Sequence, residues 1–397
     1  MCRQVVEKID PYDIKVTEYL QIIMKIFQNE RIVLTLDAGG TNFVFSALKG
    51  GKPITPLITL PSNSTDLEKC LENIIEGFKR VKKLLLPEKA VAISFAFPGP
   101  AEYEKGIIIS PPNFPSFKEG VALGPMLEDY FNLPTYINND GDLFTYGEAI
   151  GGFLPEVNKG FKEFGIKKEF KNLIGITLGT GFGAGVVINQ EICAGDNSAG
   201  GEIWLMRNLL EPKIIAEESV SVRGIQSYYK DYSEESFELS PKDIFQIAVG
   251  DKNGNREAAV MAYDSVAKVA AEALANVMNI IDGGVVIGGG IAGSSKLLLP
   301  QILKHLNGKI ENRNKDRFNR IVSQAFSFEE QKTKQAFYKT TMKKIKVPFS
   351  TREIEFVEDK RVPVGISRLG TNNATMLGAY AVALSKSGRV LEKKEMV

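Results

Sequence analysis

An apolar run over Leu34–Ala47 is broken by Asp37, Gly39 and Gly40 and then resumes with alternating side chains. Such a run folds as strand, tight turn and strand: Ile32–Leu36 is expected to be buried, and Phe43, Phe45 and Ala47 to share one face of the next strand. Glycines in the turn let backbone N–H groups approach an anion closely. Thr41 adds a hydroxyl, and Asp37, at the strand end, can hold a hydrated divalent cation. On this stretch alone the same residues also describe an ordinary Gly-Gly hairpin. A second stretch, Leu173–Ile188, repeats the design around Gly179, Thr180 and Gly181. Two hairpins of one pattern, about a domain's length apart, predict a duplicated α/β fold that grips a polyphosphate from both sides.

With 397 residues the chain is long for a single core, so two domains are expected. Lys and Arg total 49 against 48 for Asp and Glu, so no global field draws nucleic acid or an anionic membrane, and anion binding must be local. The three cysteines, Cys2, Cys70 and Cys193, have no metal-ligand spacing, and their odd number argues against a disulfide framework. With no segment long and apolar enough for a membrane span, the expectation is a soluble protein of a reducing cytoplasm.

Further motifs follow in order. Phe97-Pro98-Gly99-Pro100 closes an expected strand, and Asn113 lies in a proline-rich loop. Asn139-Asp140-Gly141-Asp142 stands at the end of an expected strand, Thr135–Asn138, and opens a helix expected from Asp142 to Ile150 that contains Gly147 and Glu148. Glu202 follows Gly200-Gly201, Glu217 opens a later acidic pair with Glu218, and a valine-rich strand runs into Gly288, Gly289 and Gly290. Taken as a series, from about Arg31 to Leu384, the chain resembles the ROK sugar kinases. These belong to the actin-like ATPase superfamily, which also holds hexokinases and actin.

The resemblance implies a two-domain actin-like (ribonuclease H-like) α/β fold with a duplicated strand-hairpin core and an interdomain cleft. Residues 1–30 would be a helical extension and 31–139 a small first domain, completed by a C-terminal helix at 371–397. Residues 140–370 would be a larger second domain with an insertion at about 307–362. ATP is the implied phosphoryl donor, held by Asp37, Gly39, Gly40 and Thr41 from one side, by Gly179, Thr180 and Gly181 from the other, and by Gly289 and Gly290 at the adenosine. Asp37 would tether Mg²⁺, mainly through water. Phosphoryl transfer to a sugar hydroxyl needs a carboxylate able to take that hydroxyl's proton, and Asp140 is the candidate over its commoner role as a helix cap. Asn113, Asn139, Glu202 and Glu217 would orient the sugar, with Glu218 the alternative to Glu217 because the register is uncertain by one residue.

The chain departs from the family pattern at several points. Asp142 stands where relatives usually carry Asn, and Trp204 and Leu205 stand where Gly and His are usual. The cysteines of the family's structural zinc site are missing, so no zinc is expected. The implied activity is ATP-dependent phosphorylation of a glucose-like hexose at its 6-hydroxyl. Kinases for an N-acetylated hexosamine or for fructose, and a non-catalytic sugar-sensing regulator, are the alternatives; an actin-like assembly ATPase fits the Asn139-Asp140 and Gly201-Glu202 motifs poorly. The expected partner is the small-molecule hexose, with neither nucleic acid nor membrane, in a homodimer.

Outside these motifs, Val16–Phe27 has helical spacing and is too short for a helix-turn-helix module. Residues 151–171, with Lys159, Lys162, Lys167, Lys168 and Lys171, are expected to form a solvated loop. The 307–362 segment is expected to show a cationic face from Lys332, Lys334, Lys339, Lys343, Lys344 and Lys346. The one histidine, His305, is expected at a helix end, away from chemistry.

Overall fold

The structure is a computed structural model that describes residues 26–234 and 239–394. The helix expected over 16–27 lies outside the described residues except at Ile26 and Phe27, which are helical. The described residues form two compact units, one of residues 26–139 with 161–169 and 376–394, the other of residues 140–160 with 170–375.

In the first unit, β1 (Ile32–Ala38) and β2 (Asn42–Lys49) form the antiparallel hairpin, joined at the far side of β2 by β3 (Lys52–Pro53) and β4 (Ile58–Pro61). On the other side β1 runs parallel to β5 (Ala90–Ala96), and β5, further along, to β8 (Thr135–Asn138). A small pair, β6 (Ala101–Glu102) and β7 (Ile107–Ile108), lies between β5 and β8 in the chain. Two helices accompany the sheet, α1 (Leu67–Leu85) and α2 (Leu123–Phe131). α1 starts where the Asp66 carboxylate accepts the Lys69 N–H, and it buries Cys70, Ile74, Phe78 and Val81, one stripe at helical spacing. Its Gly77 makes room for the Phe45 ring, which would lie 2.2 Å from an added Cβ. The core is aromatic: Phe43 stacks on Phe114 at 5.9 Å, and Phe97 packs on Phe114 and Phe117.

The second unit repeats the scheme. Helices α3 (Asp140–Gly151) and α4 (Phe153–Glu163) lead into β9 (Leu173–Leu178), which pairs antiparallel with β10 (Phe182–Ile188), and β10 with β11 (Glu191–Ile192). Helices α5 (Val222–Ser233), α6 (Pro241–Val249) and α7 (Arg256–Ile281) precede β12 (Gly284–Gly288), which runs parallel to β9. After α8 (Ser295–Leu306) come the ribbon β13 (Lys309–Glu311) and β14 (Arg317–Asn319), then β15 (Gln324–Ser327) and α9 (Gln331–Tyr338). A second ribbon, β16 (Met342–Lys346) and β17 (Glu353–Val357), precedes β18 (Arg361–Ile366), which closes the sheet between β12 and β15. The last helix, α10 (Thr371–Lys394), begins in this unit and continues into the first. There its buried Tyr380 hydroxyl accepts the Gly50 N–H at 2.9 Å and reaches the carbonyls of Asn29 and Arg31.

Both sheets therefore start from an antiparallel pair joined by a glycine turn and grow by parallel strands, which is the expected duplication. Four expectations need correction. Residues 153–163 are a helix, because Phe153, Leu154, Val157 and Phe161 make an apolar stripe that the surrounding lysines obscure. The 307–362 segment is not a separate insertion throughout: β15 is a strand of the main sheet, and α9 buries Phe337 and Tyr338, with the Tyr338 hydroxyl donating to the Val157 carbonyl at 2.9 Å. Its cationic face is offset in part, since Lys334 pairs with Glu156, Lys343 with Glu358 and Lys344 with Glu355. Helix α3 also begins two residues earlier than expected, so Asp140 belongs to its first turn.

Candidate active site

In the first unit Asp37 occupies the penultimate position of β1, opposite Val44 on β2 and beside Ala96 of β5, and it is exposed. The turn that follows is tight. The Gly39 N–H donates to the Asn42 carbonyl at 3.1 Å, and a Cβ on Gly39 would come within 2.8 Å of that oxygen. Gly40 faces Asn113, whose Cβ would lie 3.4 Å from one added there, so the proline-rich loop is brought against the turn. Ser62 closes the other side, its hydroxyl donating to the Gly40 carbonyl and its N–H to the Thr41 carbonyl. Thr41 keeps its side chain exposed. The Phe97-Pro98-Gly99-Pro100 turn is tied in by Tyr103, whose hydroxyl donates to the Phe97 carbonyl at 2.9 Å and accepts from Asn139 Nδ2 at 3.4 Å.

In the second unit the Gly179 N–H donates to the Gly181 carbonyl at 3.0 Å, and the Gly179 carbonyl accepts from the first N–H of α5, that of Val222. Gly181 leaves room for Glu217, since a Cβ there would meet Oε2 at 2.6 Å. The same Oε2 accepts the Phe182 N–H at 2.9 Å, while Oε1 pairs with Arg223, which also pairs with Glu218 and reaches the Thr180 carbonyl. Glu217 thus buckles the second glycine loop to α5, a contact its place in the motif series did not indicate. Arg223, a cation beside that loop, had no signal in the sequence beyond its spacing from the two glutamates. Gly289, at φ +87°, lies against the end of β9, where a Cβ would meet the Leu178 carbonyl at 2.3 Å; its N–H donates to Thr371 Oγ1 at 2.9 Å. Gly290 has open space on its Cβ side.

Asp140 is still reached by solvent, yet the surrounding protein desolvates its carboxylate and raises its pKa above the ordinary aspartate value. Hydrogen bonds from the Gly141 N–H and its own N–H pull the other way, and solvent contact tempers the rise. Glu202 stands at the head of a short 3-10 turn and accepts the indole N–H of Trp204, the single tryptophan of the chain. Trp204 is thereby an orienting donor for Glu202. His305 lies at the end of α8, 3.1 Å from Asp264, as expected of a residue outside the site. Among the described residues no group of three or more His, Cys, Asp or Glu is placed to hold a metal ion, and no helix is long and apolar enough to cross a membrane.

Two sheets that each open on a strand, glycine turn and strand are those of the actin-like fold class, and the sequence matches the ROK family over residues 33–329, so the chain belongs to that family. A glucokinase structure from Parabacteroides distasonis is 48% identical, covers 91% of this chain and 99% of its own, and superposes with a TM-score of 0.83. A glucokinase of Thermotoga maritima is 27% identical over 67% of this chain and 84% of its own length. A xylose repressor of Caldicellulosiruptor bescii is 28% identical over 56% of each chain.

Proposed function

We propose that the protein is an ATP-dependent hexose kinase of the glucokinase type, transferring the γ-phosphoryl group to the sugar's 6-hydroxyl. The observation that carries this reading is Asp140, a solvent-reached carboxylate with raised proton affinity at the head of a helix in a chain that retains both glycine turns. A base of this kind accepts the hydroxyl proton as the oxygen attacks phosphorus. Asn113, Asn139 and Glu202 orient the sugar, and Glu217 contributes to that side while bracing the second loop. The first turn (Asp37, Gly39, Gly40, Thr41) and the second (Gly179, Thr180, Gly181) hold the phosphates through backbone N–H groups and hydroxyls.

The exposed carboxylate of Asp37 beside the first turn suits a hydrated Mg²⁺, a cation that keeps several waters and takes one or two carboxylates. Bound there with the nucleotide, it would neutralise phosphate charge. The free thiols of Cys70 and Cys193 fit a reducing cytoplasm, where ATP is abundant. A homodimer is the assembly we expect.

The adenosine side has its own test. Gly290→Val adds a side chain where no atom lies within 4 Å, so the melting temperature is expected to hold while KM for ATP rises about tenfold or more, a loss of roughly 1.4 kcal/mol of binding. Gly289→Val is expected to lower the melting temperature instead, because it forces a branched residue to positive φ and into the Leu178 carbonyl. A Gly290→Val enzyme with unchanged KM would remove Gly290 from the nucleotide site.

Measuring ADP release with Mg-ATP across glucose, mannose, fructose and N-acetylated hexosamines tests the kinase directly. Turnover on one of them is the expected result. The Trp204–Glu202 bond, made by a residue that stands where the family pattern has glycine, favours one second reading, a sugar sensor without chemistry. Tight sugar binding with no ADP release would select that reading.

A further inference from the structure

Asp142 lies on the same first turn of α3 as Asp140 and is only 6% exposed. Its Oδ1 is buried and has no hydrogen-bond partner. Strand β10 fixes it there: a Cβ on Gly185 would meet the Gly141 carbonyl at 2.2 Å and the Asp142 Cα at 2.7 Å, so this turn of the helix presses directly on the strand. The turn that carries Glu202 reaches the same part of β10, with the Gly201 Cβ position 3.1 Å from the Ala184 carbonyl and 3.6 Å from the Gly185 Cα. Asp142 is thus enclosed and cannot swing to water without moving the helix off the sheet.

The charged groups acting on it are the carboxylates of Asp140, on its own helix, and Glu202. Of the strands that α3 packs against, β9 and β10 bring no ionisable side chain, and β11 brings Glu191, which is exposed. Three carboxyl groups are therefore gathered here with no cation acting on the innermost. An unpaired buried carboxylate is costly, and the cost is avoided if the group keeps its proton.

We propose that Asp142 is a positioning residue that works as a neutral acid: holding its proton, it lets Asp140 and Glu202 both stay ionised on the sugar side, and its ionisation disables that side. The proposal rests on the kinase reading and adds to it the residue that sets the upper pH limit. Burial, followed by the charges of Asp140 and Glu202, pushes Asp142 up to about 8, so the proton is retained at neutral pH. Above that, a third negative charge beside the base and the sugar ligand opposes approach of the anionic phosphoryl donor and forces an unpaired charge into the helix–strand contact.

The test compares the wild type with Asp142→Asn, which has the shape of the neutral acid and does not ionise. Profiles of kcat/KM for the hexose, each normalised to its own maximum, are expected to fall about tenfold per pH unit above pH 8 for the wild type, and to have their midpoint at least about one unit higher for Asp142→Asn. Thermal unfolding supplies a readout independent of turnover. Because folded Asp142 keeps a proton that an unfolded aspartate releases near pH 3.9, the contribution of that proton to wild-type stability is fully present below about pH 4 and is lost as pH rises towards about 8. The melting gap in favour of Asp142→Asn should therefore widen between about pH 4 and pH 8 and level off above that. No turnover on any hexose at any pH would count against the kinase reading. Turnover with coincident alkaline limbs, or melting curves that stay parallel, would overturn the role of Asp142 alone.

Discussion

Replacing Asp140 with asparagine is expected to lower kcat for hexose phosphorylation by about 10²–10⁴-fold, the range a general base contributes, while the dissociation constant for the sugar changes only a few-fold. Asparagine has the same shape and can still hydrogen-bond the hydroxyl, but it cannot take the proton. A loss in kcat with binding retained assigns Asp140 to the transition state, whereas parallel losses in binding would make it an ordinary sugar ligand. The wild-type profile supplies a second signature. Asp140 must be ionised to act, and desolvation by the surrounding protein, tempered by its solvent exposure, raises its pKa, so activity is expected to disappear on acidification at a pH higher than an unperturbed aspartate would dictate. Residual activity of Asp140→Asn should lack that limb. If the variant kept wild-type kcat, the proposed mechanism would fail, whatever sugar was bound.

That result also separates the kinase from the sensor. A sensor needs Glu202, and the Trp204 N–H that orients it, but has no use for a proton acceptor desolvated by the protein around it. The two readings share the sugar ligands and diverge at Asp140.

Much of this was legible in the sequence, and the physical reason is locality. Strand, glycine turn and strand are written in a dozen consecutive residues, as are the caps that set α6 and α7: Ser240 and Asn255 accept N–H groups at their starts, and Gly250 and Asp282 take left-handed conformations at their ends. Helix α4 was missed because three of the residues along it are Lys159, Lys162 and Glu163, and charge outweighed its four-residue apolar stripe. The contacts that refine the site are non-local or depend on burial. Glu217 reaches Phe182 across 35 residues, and nothing local marks Asp142 as enclosed, because Asp in a first helical turn is usually solvated. Trp204 and Glu202 are two residues apart, yet their bond depends on the 3-10 turn, which no periodicity announced.

Glu148 marks the same boundary, and its removal should produce a large loss of stability. The sequence shows it only as the end of the Asn-Asp…Gly-Glu pattern. In the fold it is fully buried near the end of α3, and its two oxygens accept four donors: the N–H of Phe153 at 2.8 Å, the N–H of Arg368 at 3.2 Å, the N–H of Leu369 at 3.0 Å and the Ser367 hydroxyl at 2.5 Å. Gly152 and Gly147 lack side chains because a Cβ would strike the Glu148 carboxylate at 2.1 Å in the first case and the Ala374 carbonyl at 1.9 Å in the second. Glu148→Ala leaves three backbone N–H groups and a hydroxyl without their acceptor. At about 1–3 kcal/mol for each buried group left unpaired, partly relieved by water entering the space, a net cost of roughly 3–5 kcal/mol is expected. For a unit of this size that corresponds to a fall in melting temperature of about 10 °C. Glu148→Gln should recover only part of it, since an amide nitrogen would face donors where the carboxylate presented acceptors. The segment Ser367–Leu369 leads directly into α10, and α3 begins with Asp140, so Glu148 ties the helix that carries Asp140 to the helix that continues into the other unit. A melting temperature within about 2 °C of wild type for Glu148→Ala would show that water satisfies these donors and that the carboxylate is dispensable to the fold.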